Sequence, residues 1–426
     1  MKLRHQKSSK FINALGGAAI TFATALPAYA ATPPTAEQMW EIIQAQQKEI
    51  AELKAQQQST REKLEVAEEK VEATNEAVAQ NAEQLADSGP SWTDKTRVGG
   101  YGEAIYNNIE SDAGEDFNQI DLRRVVLFFG HEFTDKIRFF SEIEFEHGLV
   151  GEGAGGEVAL EQAFIDFDLT DYASVAAGAF LVPVGILNET HEPNTFYGAE
   201  RNIVERRIIP TTWTELGANL HGEFAPGWGY DAGLSSGFNI PTEGDDAYRV
   251  REGRQEASEA VANNGALTGR IKWTGVPGVE LAATLQYQDD ITQGEGGPGT
   301  SSSATLFETH AAIQRGPFGL RALYARWDLD GSAPEALGRD EQTGFYIEPS
   351  YKITPKLGLF VRYAQSDNLA GSNGPSDSEI TQIDAGFNYW PYEDVVLKFD
   401  YQSQEGGEDD GFNPGDGFNL GLGYQF

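Results

Sequence analysis

The sequence predicts an all-β chain, a sixteen-stranded antiparallel transmembrane β-barrel, preceded by an α-helical coiled coil. Three observations carry this. Polar and apolar residues alternate with period two from Trp92 to Phe426, short turns and long Gly-rich loops alternate between the alternating segments, and residues 36–86 follow a heptad without Gly or Pro. The expected divisions are 1–30, 31–91 and 92–426.

The first division reads as a secretory signal peptide. Lys2, Arg4, Lys7 and Lys10 precede a small, mostly apolar run from Phe11 to Leu26, and Ala28-Tyr29-Ala30 forms an A-x-A cleavage site. Residue 31 is Ala, so no lipid-bearing Cys follows the cut.

The second division is the heptad segment. With Ile43 at position a, the a series reads Ile43, Ile50, Gln57, Leu64, Val71, Val78 and Leu85, apolar at all but Gln57. The d series is more polar. The alternative is one solvated helix, though a lone helix this polar is marginal without a partner. Ser88-Gly89-Pro90 stops the helix and makes a hinge.

In the third division, Ile137, Phe139, Ile143 and Phe145 share one face while Arg138, Glu142, Glu144 and Glu146 share the other. The pattern recurs at Leu267–Trp273, Val279–Gln288 and Val395–Gln402. Apolar residues facing out and polar residues facing in are what a barrel in lipid requires. From Ile120 to Phe129 both faces are apolar and the phase is ambiguous. Seven short turns lie at Thr134–Lys136, Thr170–Tyr172, Pro226-Gly227, Val276–Gly278, Gly316-Pro317, Thr354–Lys356 and Pro391–Glu393. Eight long loops lie at 109–116, 148–156, 182–212, 240–264, 290–303, 328–341, 367–378 and 404–416. Seven plus eight connections join sixteen strands. Trp213, Trp228, Trp273, Trp327 and Trp390 fall at strand ends, where interfacial girdles sit. A soluble sandwich is the competing fold, but it rarely needs so many hairpins.

Composition removes several functions. Asp+Glu number 66 against 31 Lys+Arg, a net charge of -35, which argues against nucleic-acid binding. After residue 30 no run of apolar residues is long enough for a membrane helix. With Cys at 0, thiolate chemistry is absent. Gly233–Gly237 fits G-x-S-x-G without a following helix, and Gly151–Gly156 fits G-x-G-x-x-G without opening one. The His residues show no metal spacing. No catalytic constellation, metal site or cofactor is expected.

The run Thr195-Phe196-Tyr197-Gly198-Ala199-Glu200-Arg201-Asn202, continuing through Val204–Trp213, resembles the phosphate-selective porin O/P family, as does Phe180–Gly185. The resemblance spans Val98 to Phe426. It implies a trimeric sixteen-stranded outer-membrane channel with an inward-folded loop at its constriction. The terminal Phe426 is similar to the aromatic end read by the barrel assembly machinery.

The third long loop, 182–212, carries Ile186, Leu187, Phe196, Tyr197, Ile203, Val204, Ile208 and Ile209, which an exposed loop would not. Folded into the lumen, it would bring Arg201, Arg206 and Arg207 to the narrow point. Two readings stand. The guanidiniums attract anions, or they pair with Glu200 and Glu205 and pin the loop. Other lumen-facing bases are Arg138, Arg270, Lys272, Arg321, Arg362 and Lys398.

Two roles follow. One is a passive water-filled porin for small hydrophilic solutes or ions, with anions such as phosphate among them. The other is a structural anchor whose coiled coil tethers the outer membrane to cell wall or a periplasmic partner. Both place the barrel in the outer membrane of a Gram-negative bacterium, with the coiled coil in the periplasm. Acidic clusters at Asp112–Asp116 and Glu408–Asp410 are expected to share divalent cations with lipopolysaccharide.

Overall fold

The computed structural model describes residues 92–111, 114–151, 155–407 and 414–426, with scattered helical positions between Glu37 and Gln58. The signal peptide, nearly all of the heptad, Asp112 and Ala113 of the first acidic cluster and the whole of Glu408–Asp410 lie outside the described residues. The chain divides into two units, Met1–Gly89 and Pro90–Phe426.

The second unit is built from β1 (Thr96–Ser111), β2 (Phe117–Thr134), β3 (Ile137–Glu146), β4 (Val158–Thr170), β5 (Ala173–Leu181), β6 (Thr214–Ala225), β7 (Trp228–Ser235) and β8 (Ala266–Trp273). It continues through β9 (Val279–Gln288), β10 (Ala304–Arg315), β11 (Phe318–Leu329), β12 (Glu341–Thr354), β13 (Leu357–Asp367), β14 (Ile380–Tyr392), β15 (Val395–Gly406) and β16 (Gly415–Gln425). Each strand pairs antiparallel with its sequence neighbours, and β1 pairs with β16 to close the barrel. Closure removes every free sheet edge, which is what lets a sheet cross lipid. The seam is completed by Phe426, whose N–H donates to the Gly100 carbonyl at 2.9 Å and whose carbonyl accepts from Gly100 at 3.1 Å. All seven short turns and all eight long loops fall where the sequence puts them.

Burial is inverted relative to a water-soluble protein. On β8, Leu267 and Ile271 are 58% and 53% exposed, while Thr268 and Arg270 between them are buried. On β13, Leu359 and Val361 face out and Arg362 is buried. Leucines left outward beside sequestered charges are stable only where the outside is hydrocarbon.

The tryptophan expectation holds at two positions of five. Trp228 and Trp273 pair on adjacent strands with ring centroids 6.3 Å apart, and Trp228 is exposed. Trp213 and Trp327 are instead fully buried, the first stacked on Phe238 and the second meeting it edge-on. Trp390 packs against the constriction-loop residue Tyr197 at 5.9 Å, and Lys352 lies 5.1 Å above its ring. Phase along β11 and β14 turns Trp327 and Trp390 inward, and Trp213 belongs to the loop that precedes β6.

Candidate functional site

The loop between β5 and β6, residues 182–213, folds inward. Val184, Ile203, Val204, Ile208 and Ile209 are all 1% exposed or less. They join one apolar cluster with Leu306 of β10, Leu323 and Trp327 of β11, Tyr346 of β12 and Ala364 of β13. An apolar patch on the lumen face of β10–β13 thus meets an apolar loop, and each removes the other from water. The single helical turn α1 (Val204–Arg207) lies there. Gly344 of β12 permits the approach, because a Cβ at that position would stand 2.9 Å from both Ile208 and Val204.

Polar contacts fix the loop in register. The Glu205 carboxylate, fully buried, accepts the backbone N–H of Ile186 at 2.7 Å and of Leu187 at 2.6 Å. Its other oxygen accepts Asn202 Nδ2 at 3.0 Å and the Tyr346 hydroxyl at 2.9 Å. Asn188 closes the base, donating to the Val182 carbonyl at 2.7 Å and accepting the Trp213 N–H at 2.7 Å.

Most of the wall bases expected in the lumen serve as pins for this loop. Arg362 donates to Asp384 at 2.9 Å, Glu348 at 3.1 Å and the Tyr197 carbonyl at 3.2 Å. Arg321 donates to the Thr195 carbonyl, and Arg270 to Glu189 and Asp231. Lys398 sits with Nζ 3.5 Å from the centre of the Phe196 ring, a cation–π contact in a desolvated setting. Arg138 is tied to Asp166 and Asp168 away from the loop. Lys272 alone of the six has neither an ion pair nor a loop contact among the described residues, standing near Glu280. The paired members hold the constriction more than they charge it.

Two of the three loop arginines come to one space, a cavity of about 840 Å³ lined by Arg201 and Arg206, while Arg207 lies outside that lining, near Arg249, Arg206, Arg251 and Asp367. Glu205 has turned away into the apolar cluster, so it neutralises none of them. Glu200 pairs with Arg123 at 2.7 Å and with Arg206 at 3.6 Å. Burial works against the Glu200 carboxylate, yet Arg123 and Arg206 hold it below the usual range. Arg201 has no carboxylate at ion-pair distance among the described residues and donates only to Thr212 Oγ1, at 3.4 Å. Burial, then the Arg124 guanidinium, pulls Arg201 down to about 10. Burial, then Arg249, Arg206 and Arg251, pulls Arg207 down to about 9. Both remain charged at neutral pH, with Glu103 and Glu161 also near Arg201 and Asp367 near Arg207.

Sequence reasoning missed four of the six arginines that line this cavity. Arg251 and Arg254 come from the loop between β7 and β8, where Arg254 donates to the Thr212 carbonyl at 3.0 Å. The spacing Arg249-Val250-Arg251-Glu252-Gly253-Arg254 was the available signal, a basic run inside an otherwise acidic loop. Arg123 and Arg124 come from β2. The register between Glu103↔Arg124 and Ile105↔Asp121 advances two residues on β1 but three on β2. That bulge turns two adjacent arginines to the lumen, in the segment whose phase the sequence left ambiguous.

The facing wall is acidic. Glu103, Glu144, Glu146, Glu157 and Glu161 line the same space. A second bulge, between Glu142↔Gln162 and Ile143↔Leu160, leaves Glu161 as the extra residue of β4. Arg124 bridges the two sides, donating to Glu103 at 2.9 Å and to the His191 carbonyl at 3.0 Å. Arginines stand on one side of this space and carboxylates on the other, the arginines coming from β2 and from two loops.

The model of the family described as phosphate-selective porin O and P matches residues 97–426. An uncharacterized protein of Aquifex aeolicus is 32% identical over 336 residues, 72% of this chain and 75% of its own. The barrel is similar to an anion-selective porin from Comamonas acidovorans, with TM-score 0.55 and 13% identity, covering 78% of this chain and 99% of that one. It is also similar to OmpT of Vibrio cholerae in its trimer form, with TM-score 0.51 and 13% identity, covering 78% and 100%. The structural likenesses carry the fold; the family match carries the role of an outer-membrane channel rather than an enzyme. By that match, the chain belongs to the phosphate-selective porin O and P family.

Proposed function

We propose that this channel passes small hydrophilic solutes passively and prefers anions weakly, with Arg201, Arg206 and Arg207 of the inward loop and Arg251 and Arg254 of its neighbour as the anion-contacting groups. The observation that carries this is the meeting of Arg201, Arg206, Arg251 and Arg254 at one cavity from which Glu205 is withdrawn; Arg207 joins them as the neighbour of Arg206 and Arg251. Most of the net charge of -35 lies elsewhere, and salt screens exposed charges beyond roughly 8–10 Å. The acidic wall at Glu144, Glu146 and Glu161 keeps the preference weak. Guanidinium forks suit phosphate and carboxylate oxygens, so phosphate belongs to the solute class. Planar-bilayer recordings with chloride as carrier test this: added phosphate should reduce the current in the wild type and reduce it less in R201A/R206A/R207A. Equal block in both would remove the loop arginines from the anion path.

The likeness to a trimeric porin and the heptad at 36–86 support a homotrimer with a periplasmic coiled coil. The acidic outer loops are read as sharing divalent cations with lipopolysaccharide, and Phe426 as the assembly signal. An anchoring role as the main function has no comparable support, since an aqueous sixteen-stranded lumen exceeds what an anchor needs.

A further inference from the structure

We propose that Glu142, Glu161 and His191 form a site for a first-row divalent metal ion, Zn²⁺ or its like, that clasps the constriction loop to the barrel wall. His191 belongs to the loop, Glu142 to β3 and Glu161 to the β4 bulge. One ligand atom from each lies within 4.8 Å of the others. His191 Nε2 is 3.5 Å from Glu161 Oε2 and 3.7 Å from Glu142 Oε1. Four ligands at about 2.1 Å around a tetrahedral Zn²⁺ stand about 3.4 Å apart, so the two distances from His191 already match and the two carboxylates, within 4.8 Å of each other, need only close in.

Two independent features point to a missing ligand. Glu161 is 5% exposed, and neither of its carboxylate oxygens has a hydrogen-bond partner among the described residues. His191 is 2% exposed and its Nε2 is likewise unpartnered, while Nδ1 lies 3.0 Å from the Asn188 carbonyl. A carbonyl only accepts, so Nδ1 carries the proton and Nε2 presents its lone pair to the two carboxylates. A backbone carbonyl behind the ring is the usual orienting partner of a metal-bound imidazole. Buried polar atoms left unpaired are costly, and a lone pair facing two carboxylates is repulsive until a cation stands between them.

Glu142, Glu161 and Glu192 stand near the imidazole, and so do Arg201 and Arg124. Arg124 is already paired with Glu103 at 2.9 Å. A nitrogen ligand with carboxylates, in a chain whose Cys count is 0, suits Zn²⁺ and its neighbours better than Ca²⁺ or Mg²⁺, which prefer oxygen alone. The alternative occupant is a proton shared between carboxylates.

The test uses the full chain in detergent, stripped with chelator and returned to chelator-free buffer at high salt, which screens the acidic loops. Zn²⁺ titration by calorimetry should give one tight site per chain, weakened about tenfold or more in E161Q and in H191Q. Wild-type binding no tighter than that of E161Q would overturn the site and leave the shared proton. Should either variant fail to fold, the folded wild type loaded with Co²⁺ decides: a four-coordinate visible band supports the site, and its absence overturns it. Reversal potentials without metal are not involved, so this test and that of anion preference can fail separately.

Discussion

Replacing Glu205 by Ala removes the acceptor that holds two backbone N–H groups, a tyrosine hydroxyl and an asparagine amide in the fully buried base of the loop. A buried donor left unsatisfied costs about 1–3 kcal/mol, so the amides of Ile186 and Leu187 alone cost roughly 2–6 kcal/mol. About 1.4 kcal/mol is tenfold in an equilibrium, and opening of the loop should therefore increase roughly thirtyfold or more. The strands keep their ladders, because Glu205 donates to and accepts from no strand backbone. Hydrogen exchange read by mass spectrometry should show lost protection at 182–213, unchanged protection in β14–β16, and unchanged heat resistance of the barrel on gels. Glu205→Gln keeps one accepting oxygen and should fall between. Wild-type protection of Ile186 and Leu187 in E205A would refute the idea that this carboxylate sets the loop.

Two further substitutions probe the same seating from the wall. Gly344→Val drives methyl groups into Ile208 and Val204, which a Cβ alone already approaches to 2.9 Å; overpacking costs about 1–3 kcal/mol, and protease cutting within the loop should increase while the barrel stays intact. Arg362→Met leaves Asp384 and Glu348 buried without their partner, a loss of roughly 3–5 kcal/mol, and should lower the temperature at which the folded band is lost on gels.

The wall was legible in the sequence because lipid outside and water inside impose one simple rule on every strand, and turn chemistry marks where each ends. The loop at 182–212 was legible for a related reason, since Ile203, Val204, Ile208 and Ile209 have no place on an outer surface. Charge at the constriction was harder to read. Arg123 and Glu161 owe their direction to bulges, and one extra residue breaks the period on which the reading depends. Arg251 and Arg254 sit in a loop with no period at all. Glu205 lies beside Arg206 in sequence yet points into the apolar cluster, because two amides eighteen and nineteen residues away require an acceptor. Trp213 and Trp327 look like girdle residues until the loop they pack beneath is known; the Trp327 indole N–H donates to the Ile208 carbonyl at 3.0 Å.

The central claim is that the loop arginines, and not the overall charge, set the sign of selectivity. Its most direct measurement is the zero-current potential across a planar bilayer under a KCl gradient, wild type beside R201A/R206A/R207A. The account predicts a small potential of the sign for chloride preference in the wild type and a shift toward potassium in the variant. The same potential in both proteins, or a wild type as cation-selective as its net charge of -35 would make it, would contradict it.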